Sequence, residues 1–357
     1  MPVKAARKKG AVKLKTKKNY TKKRIKRVLY VLALTFGAFL ILSGYSVYKL
    51  IDRNLASALT PGEVTFDENT YPTVLYVIAE NLSDTPIKIQ KLQFKIFDIE
   101  GERVFTYEIP LDYEIDMPGR LGLEKLSNIF LVSELNDSEE TDTLESGINT
   151  LETSLLPIFG LKAERYVVVD YKSAEHTDKF WGTGELSNLI DKEFISNMST
   201  HLRSNFSVKE FLKIASFIRT LPSDRLIDNP YLNNYIMDTE VIDQEVRELM
   251  SLSPISREGY SVAILNAAGK AGFAAFGARV VANNGGRVVA VNNSDEDIKQ
   301  SVLITDLQDS ISTRKYASIF GIENVLTKSK AREFFRDTEI DRADIVVVLG
   351  FDLAETL

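Results

Sequence analysis

The chain has 357 residues, 44% hydrophobic and 26% charged, with no cysteine, two histidines and a net charge of −6. These are globular values with room for two ordinary domains, and they exclude disulfides, thiol nucleophiles, cysteine zinc sites and any multi-histidine metal centre. The charge is unevenly spread. Residues 1–27 hold thirteen Lys or Arg and no acid. Because the first 53 residues carry +14 and the whole chain −6, residues 54–357 carry −20.

Val28–Tyr48 contains no charged residue, and a helix of that length reaches about 31 Å, close to the hydrocarbon thickness of a bilayer. Tyr30, Tyr45 and Tyr48 lie near its ends, where amphipathic rings prefer to sit. The spacing predicts a single transmembrane helix over 28–50 in the cell membrane. The basic tail, 1–27, then stays in the cytoplasm and the acidic bulk outside. The tail is read as a topology signal that also suits anionic lipids, ahead of a nucleic-acid site.

Residues 51–72 read as a juxtamembrane linker ending in Tyr71-Pro72. Thr73–Ala79 is a β-rich apolar run. Lys88–Asp98 alternates apolar and polar residues, turns at Glu100-Gly101 and returns over Val104–Ile109, which predicts a strand pair with one wet face. Gly122–Leu135 reads as a helix with Leu126, Ile129, Phe130 and Leu131 inward, then an acidic loop over 136–146. Ile148–Phe159 is a second helix, and Arg165–Tyr171 a strand covered on both faces. Phe180-Trp181 either stack on a sugar or close a loop over the core. The stretch 186–221 reads as mostly helical, with Ser207 and Glu210 forming a capping box before an apolar stripe. Residues 222–258 read as a domain edge and linker.

From Tyr260 a second small α/β unit begins. Strands are expected at Ser261–Leu265, Arg287–Val291, Val302–Thr305 and Ala343–Leu349, and helices at Gly272–Asn283 and Ser310–Phe320. The turn Asn266–Gly272 is neither a P-loop nor a full Gly-x-Gly-x-x-Gly. Its glycines either let the helix pack tightly on the sheet, or its backbone amides bind an anion such as a muramyl carboxylate or a phosphate. Asn266, Gly269 and Gly272 are the candidate ligand-binding residues on the second reading. The fold class is thus α/β: a transmembrane helix, a mixed α/β domain over 73–250 and a small α/β domain over 259–357.

Two stretches carry a family resemblance. VAILNAAGKAGFAA, GIENVL and ADIVVVLGFD resemble the LytR C-terminal domain found on many LytR–CpsA–Psr proteins. TVLYVIAEN, FTYEIPLDYEIDMPG, LGLEKLSNIF, LKAERYVVVDY and HLRSNFSVKEFLKIASFIRTL, in that order, resemble a diverged LytR–CpsA–Psr catalytic domain. The resemblance implies transfer of a glycopolymer from a polyprenyl-pyrophosphate carrier to peptidoglycan, with arginines on the pyrophosphate and acids on Mg²⁺. Phosphoryl chemistry needs charge neutralisation and positioning above all, and arginine's planar fork suits phosphate oxygens.

The pattern departs where that chemistry sits. The family loop arginine is replaced by Leu111, while its acid survives as Asp112. The family's Arg-x-Asp has no counterpart at Ile89-Gln90-Lys91, and its late Gly-Gly-Val turn and Arg-Gln pair are missing after Tyr171. Arg120 and Lys125 are the nearest remaining cations, and Lys125 matches the family lysine by position. Asp112, Arg120 and Lys125 are therefore the candidate catalytic residues, with Mg²⁺ the cofactor if catalysis survives and surface-loop polarity as the plainer reading. The first expectation is a degenerate relative, a pseudoenzyme of the envelope that binds peptidoglycan or a wall glycopolymer. The alternatives are a working transferase acting on a polyprenyl-phosphate lipid and a purely structural membrane tether.

Overall fold

The computed structural model describes residues 71–118, 122–136, 143–185, 187, 201–229 and 239–357. The expected span at 28–50, the basic tail, most of the 51–72 linker, Arg120 and residues 137–142 of the acidic loop lie outside the described residues. Among the described residues no helix is long and apolar enough to cross a membrane.

Strand β1 (Thr73–Ala79) is buried along its whole length, as a continuous apolar run predicts. It is followed by β2 (Ile89–Asp98), β3 (Arg103–Glu108), β4 (Glu114–Met117) and β5 (Gly122–Lys125). The single helix expected over Gly122–Leu135 is instead this short strand, a 3₁₀ turn at Leu126–Asn128 and helix α1 (Ile129–Asn136). Gly122-Leu123-Glu124-Lys125 is drawn into a ladder with Glu114–Met117. Leu131, expected inward, is 41% exposed. Helix α2 (Thr143–Phe159) begins five residues earlier than the periodicity indicates and buries Leu151, Leu155 and Ile158 as expected. It ends at Gly160, whose φ of +62° is left-handed and whose Cβ would stand 2.5 Å from Asn283 Nδ2, so only glycine fits there.

Strand β6 (Arg165–Asp170) runs into helix α3 (Tyr171–Thr183), which places Phe180 and Trp181 on the buried face of a helix and not on a loop. Strand β7 (Leu202–Ser204) precedes helix α4 (Val208–Thr220), where Ser207 and Glu210 form the expected capping box. The described parts of the expected linker 222–258 are structured: they supply strand β8 (Leu226–Asn229), helix α5 (Thr239–Met250) and helix α6 (Pro254–Glu258), while residues 230–238 lie outside the described residues.

The first sheet has the order β7-β6-β1-β2-β3-β8. β1 is parallel to β6 and antiparallel to β2, and β3 is parallel to β8. One face packs Leu75, Phe94, Ile96 and Val168 against α1, α2 and α5, with Phe94 and Phe159 stacked at 4.5 Å. The other packs Val74, Tyr76, Phe97 and Val167 against α3 and α4. The wet face expected for β2 is therefore covered: Gln93 and Lys95 are buried because two helices lie over them.

The second sheet is built from β9 (Ser261–Asn266), β10 (Arg287–Asn293), β11 (Val302–Thr305), β12 (Val325–Leu326) and β13 (Ile345–Leu349), in the order β10-β9-β13-β11-β12. Helix α7 (Phe273–Asn283) and helix α8 (Ile311–Ile319) cover one face. Phe335 and Ile340 help cover the other.

The two sheet regions are locked together within one compact unit, Asn54–Leu357. Leu156 of α2 packs into the core of the second sheet. Asp243 of α5 accepts from Arg279 Nε at 2.7 Å and Asn283 Nδ2 at 2.6 Å. Asn283 and Asn284 donate to the carbonyls of Phe159 and Gly160, which closes the end of α2. Lys315–Glu164 and Arg257–Glu100 add ion pairs.

Candidate functional site

At the edge of the first sheet where β2 begins and β3 ends, a cleft of about 440 Å³ opens. Crevices outside the carboxyl ends of strands are the usual ligand sites of α/β sheets. The cleft is lined by the start of β2 (Gln90, Lys91), the end of β3 (Glu108) and the turn Pro110-Leu111-Asp112. The sequence candidate Asp112 is thus on the cleft wall and exposed. Lys125 lies on the neighbouring chain: Leu126 N donates to Tyr113 O at 3.0 Å and Ser127 N to Leu111 O at 2.9 Å. The structure brings the Lys125 and Asp112 segments together, with both side chains in solvent and no ion pair between them among the described residues. Arg120 lies outside the described residues.

The charge of the cleft follows from its walls. Among the described residues Lys91 is the one cation lining it, against the carboxylates Glu108 and Asp112. Lys91 is already paired with Asp178 of α3 at 3.6 Å. Leu111, where the family resemblance expects arginine, lines the wall with an apolar side chain. Among the described residues no group of three or more Asp, Glu or His is placed to hold a metal ion.

Beneath the cleft, the α3 face of the sheet carries a polar ladder that sequence reasoning missed. Strand pairing sets Tyr76, Gln93 and Glu108 in one row and Lys95 beside Thr106 and Asp228 in the next. Gln93 Nε2 donates to Glu108 Oε2 at 3.4 Å, and Lys95 Nζ to Thr106 Oγ1 at 3.1 Å. The Lys95 ammonium lies 5.6 Å from the Trp181 ring and 5.8 Å from the Tyr76 ring. Burial pulls its pKa down to about 8, against the pull of the Asp228, Asp178 and Glu108 carboxylates. The Tyr76 hydroxyl meets Thr177 at 2.6 Å and donates to Asp178 at 3.1 Å, and burial pushes its ionisation up. Among the described residues Trp181 Nε1 is buried without a partner. The period-2 alternation of β2 did signal these residues, but the same pattern marks a solvated face.

At the same edge Asp170 closes β6. Its Oδ1 accepts from Ser173 N at 3.0 Å as the cap of α3, and its Oδ2 meets His201 Nδ1. An aspartate between an apolar strand and a helix was a readable cap signal. The histidine partner, 31 residues on, was not.

The second group of candidates sits at the other sheet. Asn266 Nδ2 donates to Lys270 O at 2.9 Å and its Oδ1 accepts from Ala268 N at 3.2 Å, so the side chain is used to close the turn. Gly269 and Gly272 have φ of +64° and +75°, and a Cβ at either would meet nothing within 4 Å. They serve backbone conformation and not tight packing. The close approach to the sheet belongs to Gly277, whose Cβ would stand 2.8 Å from Leu349.

No family profile and no curated protein matches the chain. Solved structures do. TagT bound to LI-WTA is 12% identical, with a TM-score of 0.36, over 56% of this chain and 100% of that one. TagV of B. subtilis is 11% identical, with a TM-score of 0.38, over 53% and 100%. The LytR-CPS2A-psr family protein YwtF (TagT) with bound octaprenyl pyrophosphate lipid is 10% identical, with a TM-score of 0.35, over 56% and 100%. The last of these bears the name of the family that the sequence motifs resemble. Likeness at this level fixes neither ligand nor chemistry, which must be argued from the cleft.

Proposed function

We propose that this chain is a membrane-anchored envelope protein of the LytR–CpsA–Psr type, divided into a 73–250 domain and a 259–357 domain, whose transferase cleft is non-catalytic. It holds a wall glycopolymer or peptidoglycan and does not transfer one. The charge of the cleft carries this reading: one lysine, already paired with Asp178, stands against Glu108 and Asp112. Among the described residues, a pyrophosphate there meets carboxylates with no arginine fork to offset them. Two like charges 4 Å apart cost about 4 kcal/mol at an effective dielectric near 20. The single span at 28–50, with the N-terminus in the cytoplasm and the bulk outside, belongs to this proposal, as does the basic tail on anionic lipid.

A second reading is a working transferase with a shifted cation set. The adjacency of the Lys125 and Asp112 segments supports it. Sedimentation of the full chain with purified peptidoglycan, beside an assay for glycopolymer transfer, separates the readings. Co-sedimentation without transfer is expected. Transfer that is lost in Lys125→Ala establishes the second reading, and neither activity leaves a structural tether.

A further inference from the structure

The two large sheets end in edges of unequal length. Among the described residues β7 has three residues, β8 four and β12 two. The remaining edge, β10, has seven. It pairs with β9 alone, and Arg287, Val289, Val291, Asn292 and Asn293 are exposed. Its one irregularity lies between Val288 and Ala290, so residues 290–293 run in regular register along 263–266. Ser294 N donates to Asn266 O at 2.9 Å. The alternation of a parallel ladder then turns the N–H and C=O groups of Val291 and Asn293 away from β9. An open row of backbone donors and acceptors beside an exposed valine is a template for a further strand. Edge strands are commonly blunted by charge, proline or a bulge, and here the bulge and Arg287 both precede the open stretch.

The charges that flank β10 select its occupant. Arg287 stands at its start, where its Nε donates to Gly259 O at 3.2 Å and its guanidinium forms no ion pair among the described residues. Asp295, Glu296 and Asp297 follow its end, all exposed. An antiparallel partner that suits this row carries an acid against Arg287, a base against Asp295 and small or apolar residues between. That is the sequence of β10 itself, read backwards. We propose that β10 is a self-association surface, on which a second copy of this chain adds its own β10 antiparallel about a two-fold axis at Val291. The axis sets each Arg287 against the other copy's Asp295 and each Val289 against an Asn293. Opposite charges facing across a ladder are favourable and like charges are not. A parallel pairing in register would set Arg287 beside Arg287 and acid beside acid. The contact is isologous and closes at two copies. A ladder of a few residues buries little area, which places it among transient interfaces. The inference uses none of the residues around Lys91 and Asp112, so it stands apart from the reading of the cleft.

The chain has no cysteine, so a single introduced one reports the approach of two copies. A hydrogen-bonded antiparallel pair holds its Cα atoms about 5.5 Å apart, inside the roughly 4.4–6.8 Å that a disulfide spans. The test is mild oxidation of the full-length Val291→Cys variant in detergent, with disulfide-linked dimer read on a non-reducing gel. Leu212→Cys, on α4 of the first region, is the control: Leu212 is 40% exposed and Val291 42%. It measures chance encounters in shared micelles. Dimer from Val291→Cys is expected at about fivefold or more above that control. Adding Arg287→Asp or Asp295→Arg to Val291→Cys should lower the yield by about fivefold or more, since each reversal acts at two symmetric positions. Adding both should restore it, which a loss of folding does not do. Equal yields from the two cysteines, no dimer from Val291→Cys, single reversals without effect, or a double reversal that fails to restore the yield overturns the proposal.

Discussion

The two sheet regions differ in what they bury: the first buries a lysine and an arginine, Lys95 and Arg165, and among the described residues the second buries no cation. Around the second sheet, acids close backbone. Asp344 accepts from Ser261 N and Oγ at 2.8 and 2.6 Å, Glu258 caps the start of α8 through Ile311 N and Ser312 N, and Asp352 holds Ser301. The Ser261 bonds hold the Asp344 carboxyl below the usual aspartate range. Around the first sheet, a lysine is buried over two aromatic rings without an ion pair within 4 Å among the described residues. Acids close backbone there too, at Asp170 and Glu210. Among the described residues the Trp181 N–H of the first region and the Tyr316 hydroxyl of the second are both buried without a partner, so the buried ammonium is what sets the first region apart.

The largest effect should come from a deeply buried ion pair of the first region. Arg165 is 2% exposed and donates to both oxygens of Glu210, which also completes the cap of α4. Glu210→Ala should lower unfolding free energy in urea by about 3–5 kcal/mol, because it strands a buried guanidinium. Burial opposes ionisation of Glu210, but Arg165 and Ser207 hold its pKa below the usual value. Its contribution is therefore present above about pH 4.5 and lost as pH falls.

Lys95→Met should move stability the other way, raising it by about 2–3 kcal/mol at pH 7, since it removes a buried ammonium. In the parent protein the unfolded chain binds the Lys95 proton between pH 8 and 10.5 and the folded chain does not, so stability rises with pH across that window. Urea titrations at pH 7 and 10 should show that rise, and it should flatten in the variant.

In the second region Asp344→Ala should cost about 1–2 kcal/mol, the loss of two charge-assisted bonds to Ser261. The smallest stability change, within about 0.5 kcal/mol, should come from Leu111→Arg on the cleft wall. Its reporter is binding: the added guanidinium should give the cleft measurable affinity for inorganic pyrophosphate that the parent lacks.

How far the sequence carried these conclusions depended on what each pattern can distinguish. TVLYVIA, RYVVVD and DIVVVL read as buried strands because continuous apolar runs of that length have few alternatives, and Ser207 with Glu210 read as a cap because the spacing is specific. Gly122–Lys125 was hidden inside a helical periodicity, and its strand exists only because Glu114–Met117 offers a ladder. Leu226–Asn229 was hidden among prolines and acids and becomes a strand by pairing with β3. The cleft was half legible. Asp112 and Lys125 followed from the resemblance, whereas Lys91, Glu108 and the Lys95 row needed the register of three strands. Asn266 was legible as a turn residue, but its hydrogen bonds spend it on the turn itself.

The central claim is that the first cleft has lost its grip on pyrophosphate. Titration of the full chain in detergent with a polyprenyl pyrophosphate, with and without Mg²⁺, tests it most directly. The account predicts no saturable binding in either condition. Saturable, Mg²⁺-dependent binding that disappears in Arg120→Ala or Lys125→Ala would contradict it and show a functioning transferase site.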